Sequence, residues 1–190
     1  MRVIAGKARR LPLKTIPGQE TRPTTDRIKE TLFNILQNDV PGTRFLDLFA
    51  GSGGIGIEAL SRGALDAVFV ESARAAADCI RANLQFTHLS QDALVLQCDV
   101  LAALSRLSGQ KPFGIVFMDP PYGRGLERSV LEYFASHTPS YIDEDTLLIV
   151  EAELGTDFGY VEQLGFEVIR IKEYKTNMHV FIKMQEQENI

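Results

Sequence analysis

The sequence predicts an α/β protein of Rossmann-like type. It has a mostly parallel seven-stranded sheet with an antiparallel C-terminal strand, and a small N-terminal extension of hairpin and helix. Three observations carry this. From residue 44 to residue 164, short apolar runs alternate with segments of helical period, the pattern of a parallel sheet covered by helices on both faces. A glycine-rich loop, Asp47-Leu48-Phe49-Ala50-Gly51-Ser52-Gly53-Gly54-Ile55-Gly56, joins the first such strand to the first such helix. Two final runs, 166–172 and 178–183, read as an antiparallel pair and make the sheet mixed.

Element by element, residues 3–5 and 11–15 read as a short hairpin around Gly6 to Arg10, and Pro17-Gly18 marks a turn. Thr24 or Thr25 caps a helix that begins near Asp26. Ile28, Leu32, Ile35 and Leu36 form its apolar stripe, and Pro41-Gly42 ends it. Strands are expected at 44–49, 67–71, 93–97, 114–118 and 146–151. Helices are expected at 55–62, 74–86, 101–107, 126–135 and 158–164. Residues 1–40 then form a basic extension, 41–184 the main domain and 185–190 a polar tail, with no internal repeat.

A chain of 190 residues fits one domain, and a monomer is expected. No run approaches the ~20 apolar residues of a membrane span. The first residues lack the apolar segment of a signal peptide, so a cytoplasmic protein with no membrane partner is expected. Cys79 and Cys98 give neither a disulfide framework nor a metal spacing; both read as small buried hydrophobes. His88, His137 and His179 stand in no catalytic spacing and read as surface or packing residues. Net charge is −5, but it is unevenly spread. Residues 1–29 carry eight bases (Arg2, Lys7, Arg9, Arg10, Lys14, Arg22, Arg27 and Lys29) against Glu20 and Asp26, a net +6 that leaves −11 for the rest. A basic arm on an acidic body suits phosphate attraction that weakens with salt.

In the loop, Gly51, Gly53 and Gly56 satisfy the dinucleotide pattern G-x-G-x-x-G, with Phe49 just before them and Ser52 between the first two. The pattern alone says that a bulky ligand approaches the backbone between a strand and a helix N-terminus. Asp47, at the end of the strand, sits badly beside a pyrophosphate and well beside a positive amino group. Glu71 ends the next strand, where a carboxylate accepts from both hydroxyls of a ribose. Asp99 follows the third strand and can accept from an adenine amine, with Ser72 and Val100 flanking the ring. Each acid alone also reads as a solvated strand-end residue. Three at successive strand ends, on the usual ligand edge of such a sheet, favour S-adenosylmethionine over NAD.

The segment Phe113-Gly114-Ile115-Val116-Phe117-Met118-Asp119-Pro120-Pro121-Tyr122 carries the second half of the chemistry. An apolar strand runs into an acidic turn. Asp119 supplies an acceptor and Tyr122 a flat aromatic face, while Pro120 and Pro121 fix the backbone that carries them. Such a turn suits a planar amine, held by hydrogen bonds while its ring is stacked.

Together with Thr21-Arg22-Pro23-Thr24-Thr25-Asp26-Arg27-Ile28-Lys29-Glu30, these motifs resemble the bacterial RsmD family over nearly the whole chain, from Met1 to about Phe181. The resemblance implies a Rossmann-like class I methyltransferase fold and S-adenosylmethionine as methyl donor. It implies methylation of the exocyclic N2 amine of one guanine in 16S ribosomal RNA, with the assembled small subunit as partner. Asp119 and the Pro120 carbonyl would then accept hydrogen bonds from the amine, and Tyr122 would stack on the base. Arg9, Arg10, Arg22 and Arg27 would hold the RNA backbone; Arg22-Pro23-Thr24 serves either that purpose or closure over the cofactor. The chain departs from the family pattern at Gly114, where Asp is usual, and at Tyr174-Lys175, where Tyr-Gly is usual. The nearest alternative is a methyltransferase acting on an adenine or cytosine amine of DNA. A glutamine-amide methyltransferase would be expected to carry Asn at position 119. An oxidoreductase is disfavoured by Asp47, and a noncatalytic RNA-binding module has no need of three strand-end acids.

Overall fold

Alternation of buried side chains along short strands sets the architecture of the computed structural model, which describes residues 1–16, 26–137 and 140–185. The turn expected at Pro17-Gly18, the caps Thr24 and Thr25, the Arg22-Pro23-Thr24 stretch and the tail beyond Gln185 lie outside the described residues. The strands are β1 (Arg44–Leu48), β2 (Asp66–Val70), β3 (Ala93–Leu96), β4 (Ile115–Met118), β5 (Leu147–Glu153), β6 (Phe166–Glu173) and β7 (Asn177–Met184). The helices are α1 (Asp26–Ile35), α2 (Gly54–Ser61), α3 (Arg74–Phe86), α4 (Val100–Arg106) and α5 (Leu126–His137). The seven strands lie in the order β3-β2-β1-β4-β5-β7-β6. Strands β1 to β5 are parallel, whereas β7 runs antiparallel to both β5 and β6.

Side chains alternate across the sheet with a period of two. Leu46, Leu48, Val116 and Met118 meet α4 and α5 on one face through Val100, Leu104, Val130 and Phe134. Phe45, Phe69, Ile115 and Phe117 face the other way, into a layer built by α1, α2 and α3 with Phe33, Leu36, Ile57 and Ile80. Val3, Ala8 and Leu13 belong to that second layer, so the N-terminal segment is built into the core of the sheet.

Several expectations are corrected. The hairpin over 3–5 and 11–15 is a loop with one antiparallel bridge, Arg2 to Pro12. It is held by Val3 N–H to Leu11 O (3.0 Å), Leu13 N–H to Met1 O (3.0 Å) and Arg10 N–H to Val3 O (2.9 Å), and the amides of Ile4, Ala5, Lys7 and Ala8 turn to α2. Ser61 at the end of α2 accepts the Ala8 amide on Oγ (2.9 Å) and the Lys7 amide on its carbonyl (2.8 Å). Gly6 is pressed so closely there that a Cβ would lie 1.8 Å from the Ser61 carbonyl oxygen. The helix expected over 158–164 is a single 3-10 turn, Val161–Leu164. Cys79 and Cys98 are partly exposed, not buried. Lys29 is not available to a phosphate: it is 1% exposed, donating to the Arg2 carbonyl (2.6 Å) and pairing with buried Glu58 (3.4 Å). Glu58 also takes the Ile4 and Ala5 amides (2.8 and 3.0 Å) and Arg62 Nε (2.8 Å), which locks the arm onto α2. The departure at Gly114 has a local cause. A Cβ there would lie 2.0 Å from Thr43 Oγ1, so any side chain requires Thr43 to move.

Candidate active site

The register of the central strands assembles the site. Leu48 pairs with Val70 and Met118, and Val70 pairs with Leu96. The residues that follow these partners, among them Phe49, Glu71, Asp99 and Asp119, therefore emerge on one edge of the sheet, at the carboxyl ends of its parallel strands. This is where open α/β sheets take ligands.

After Leu48 the chain turns sharply. Phe49 adopts φ 61°, Gly51 φ 56° and Gly53 φ 80°. Left-handed backbone costs a residue with a Cβ about 1–2 kcal/mol. Phe49 is the non-glycine among the three, and its ring packs against the α4–α5 core, which offsets that cost. Ala50 N–H reaches the Val70 carbonyl (2.9 Å) and Gly53 N–H the Ala50 carbonyl (2.7 Å). Two acids then fix the loop. Glu71 accepts the Gly51 amide on one oxygen (3.0 Å) and the Ala73 amide on the other (2.7 Å), joining the loop to the start of α3. Asp47 accepts the Gly56 amide in the first turn of α2 (2.9 Å). Glycine is required at 56, because a Cβ there would lie 2.4 Å from the Phe69 ring and 3.1 Å from the Asp47 carboxylate. Ser52 contributes its carbonyl, which receives Asn83 Nδ2 (3.0 Å).

Asp47 is 1% exposed, and burial pushes its carboxyl up to about 7; the Gly56 hydrogen bond opposes this and the charge of Glu71 adds to it. Asp99 is exposed and caps α4, accepting the Leu101 amide (2.9 Å), with Val100 buried behind it and Ser72 exposed across the edge. Asp119 is partly exposed, and its amide donates to the Leu48 carbonyl (3.4 Å). Its carboxyl is pushed well above the usual carboxylate range, first by burial, then by the negative charges of Glu151 and Asp47. Pro120 is buried and Pro121 exposed. Tyr122 is partly buried, its hydroxyl donating to Glu151 (3.3 Å).

Arg9, Arg10 and Arg27 are exposed on the N-terminal segment and α1. Arg22 lies outside the described residues. The segment nevertheless touches the loop region, since a Cβ at Gly54, the first residue of α2, would meet the side chain of Met1. Sequence reading missed the group beneath Tyr122, namely Glu151, Asn177, His179 and Tyr174. The one signal was a carboxylate inside the apolar run 147–152.

This strand order, with a glycine loop after β1 and acids after β2, β3 and β4, defines a Rossmann-like class I methyltransferase fold. The family described as Conserved hypothetical protein 95 matches residues 1–183, and the chain belongs to it, the family of the RsmD proteins. Ribosomal RNA small subunit methyltransferase D of Escherichia coli K12 is 37% identical over 156 residues, 81% of this chain and 75% of that one. Its namesake from Haemophilus influenzae is 36% identical over 154 residues, 80% and 79% of the two chains. The solved structure of yhhF from Escherichia coli superposes with a TM-score of 0.82 at 32% identity, covering 98% of this chain and 99% of that one.

Proposed function

We propose that this protein transfers a methyl group from S-adenosylmethionine to the exocyclic N2 amine of a guanine in 16S ribosomal RNA, presented by the small ribosomal subunit. One observation carries the reading: Asp119-Pro120-Pro121-Tyr122 and the glycine loop share one sheet edge, in a chain whose relatives are named ribosomal RNA small-subunit methyltransferases.

The residues suit the donor. Asp47 is buried and held up toward the neutral form, a cost that the positive amino group of S-adenosylmethionine relieves and a pyrophosphate worsens. Gly51 and Gly53 present bare backbone at the loop, Glu71 suits the ribose hydroxyls, and Asp99 with Val100 and Ser72 suits the adenine. Bound there, the cofactor supplies an electrophilic methyl group.

The chain's own residues place the nucleophile. A guanine amine is weakly nucleophilic because its lone pair is delocalised into the ring. Asp119 and the Pro120 carbonyl accept hydrogen bonds from its two N–H groups, which holds the nitrogen and favours pyramidalisation; one proton leaves the nitrogen after the methyl group has arrived. Tyr122 stacks on the base, and the two prolines keep acceptor and ring in a fixed relation. Alignment of this kind supplies on the order of 7–11 kcal/mol. A paired guanine cannot enter such a turn, so the base is unpaired or flipped at about a few kcal/mol. Arg9, Arg10 and Arg27 hold phosphates, which positions the RNA without selecting the base.

Asp119→Ala tests the reading. Methyl transfer to small-subunit RNA should be abolished while cofactor affinity, measured by calorimetry, stays within about threefold, because Asp119 acts on the acceptor. Unaltered turnover contradicts the assignment.

A further inference from the structure

Glu151 lies in β5 between Val150 and Ala152, both buried, and is itself 5% exposed. A carboxylate inside a sheet is costly unless donors surround it, and an apolar side chain would serve the sheet better. Three side chains converge on this one. Asn177 Nδ2 donates to one oxygen (2.6 Å), which the Tyr122 hydroxyl also reaches (3.3 Å), and His179 Nε2 lies 3.1 Å from the other.

The geometry has a direction. Glu151 pairs with His179 in the β5–β7 register, and the β4–β5 register sets it beside Asp119. His179 is fully buried. Its other ring nitrogen meets the Tyr174 hydroxyl (3.1 Å), and its ring stands edge-on to Phe117, two residues before Asp119 (5.9 Å). Asn177 spends its Nδ2 on Glu151 while its buried Oδ1 has no hydrogen-bond partner among the described residues, so the carboxylate sets the amide's orientation. Everything behind Glu151 is braced. In front of it stands Tyr122, the aromatic face of the acidic turn.

We propose that Glu151 is a positioning residue for methyl transfer: backed by His179 and Asn177, it fixes the tilt of the Tyr122 ring and hence the plane of the stacked base. The inference rests on the function proposed above. It assigns no proton transfer to Glu151.

The test is a mutant cycle on 16S RNA in small subunits lacking the modification, with cofactor affinity measured separately by calorimetry. Tyr122→Phe removes the hydrogen bond from the cleft side and Glu151→Ala from the buried side. Each should lower kcat about tenfold, the loss of roughly one hydrogen bond of alignment, with RNA KM and cofactor Kd within twofold. The double variant should be no worse than the poorer single one, because both remove the same link. Glu151→Gln, which keeps an acceptor for the hydroxyl, should recover most of the rate. Should Glu151→Ala not fold, Tyr122→Phe still decides the matter. Wild-type kcat in Tyr122→Phe, or losses that multiply in the double variant, overturns the proposal. If the wild-type protein itself labels no ribosomal RNA, the function reading fails instead, a distinct outcome.

Discussion

The side-chain amide of Asn83 donates to the carbonyl of Ser52 (3.0 Å), tying the last turn of α3 to the glycine loop. The same Nδ2 reaches the Lys14 carbonyl (3.0 Å), and Asn83 Oδ1 accepts the Lys14 amide (2.8 Å). One buried side chain thus joins the basic N-terminal segment to the glycine loop. Asn83→Ala leaves buried backbone groups unpaired, at about 1–3 kcal/mol each. Cofactor affinity should fall about tenfold by calorimetry, with the fold retained by circular dichroism. Wild-type affinity would show that the loop holds its shape without this link.

Gly56 should tolerate no side chain. Gly56→Ala drives a methyl group into Phe69 and toward the Asp47 carboxylate, which is overpacking worth about 1–3 kcal/mol. The denaturation midpoint should drop and cofactor binding weaken together. Unchanged stability would mean that α2 can shift off β2 freely.

Asp47 makes stability depend on pH. Its carboxyl rises from 3.8 to about 7 in the folded protein, so between those values the folded state holds more protons than the unfolded one. Stability from this group is present below pH 3.8 and is lost as pH climbs toward 7, by up to roughly 4 kcal/mol. Asp47→Asn keeps an acceptor for the Gly56 amide and removes the charge. Without cofactor, thermal melts from pH 4 to 8 should show the variant gaining on the wild type up to about pH 7, then holding level. Parallel curves would contradict this.

Replacing Arg9 and Arg10 with Ala should weaken RNA binding at low salt. The dependence of log K on log salt should flatten by about 0.7–0.9 for each phosphate no longer neutralised. Both guanidinium groups are exposed, so stability should hold. An unchanged slope would remove the arm from the RNA interface.

The fold was legible because its signals are local. The short apolar runs at 44–48 and 115–118, and the glycines between β1 and α2, mark a strand and its turn whatever packs on them. Asp47 near the end of β1 and the acids after β2, β3 and β4 were legible for the same reason, since each is read from its own strand. The support of Tyr122 was not. Glu151 and His179 are 28 residues apart and meet only because β7 returns antiparallel to β5, and no local pattern fixes that register. Lys29 misled in the opposite way. Counted with the basic arm by composition, it is consumed by Glu58, whose partners come from α1, α2 and the N-terminal loop at once.

The central claim is that this chain methylates the N2 amine of a guanine in small-subunit ribosomal RNA. The most direct measurement is transfer of radiolabelled methyl from S-adenosylmethionine to small subunits lacking the modification, followed by digestion to nucleosides. The account predicts label in N2-methylguanosine. Label in another nucleoside, or none in RNA while the cofactor still binds, contradicts it and turns attention to the amines of DNA or protein.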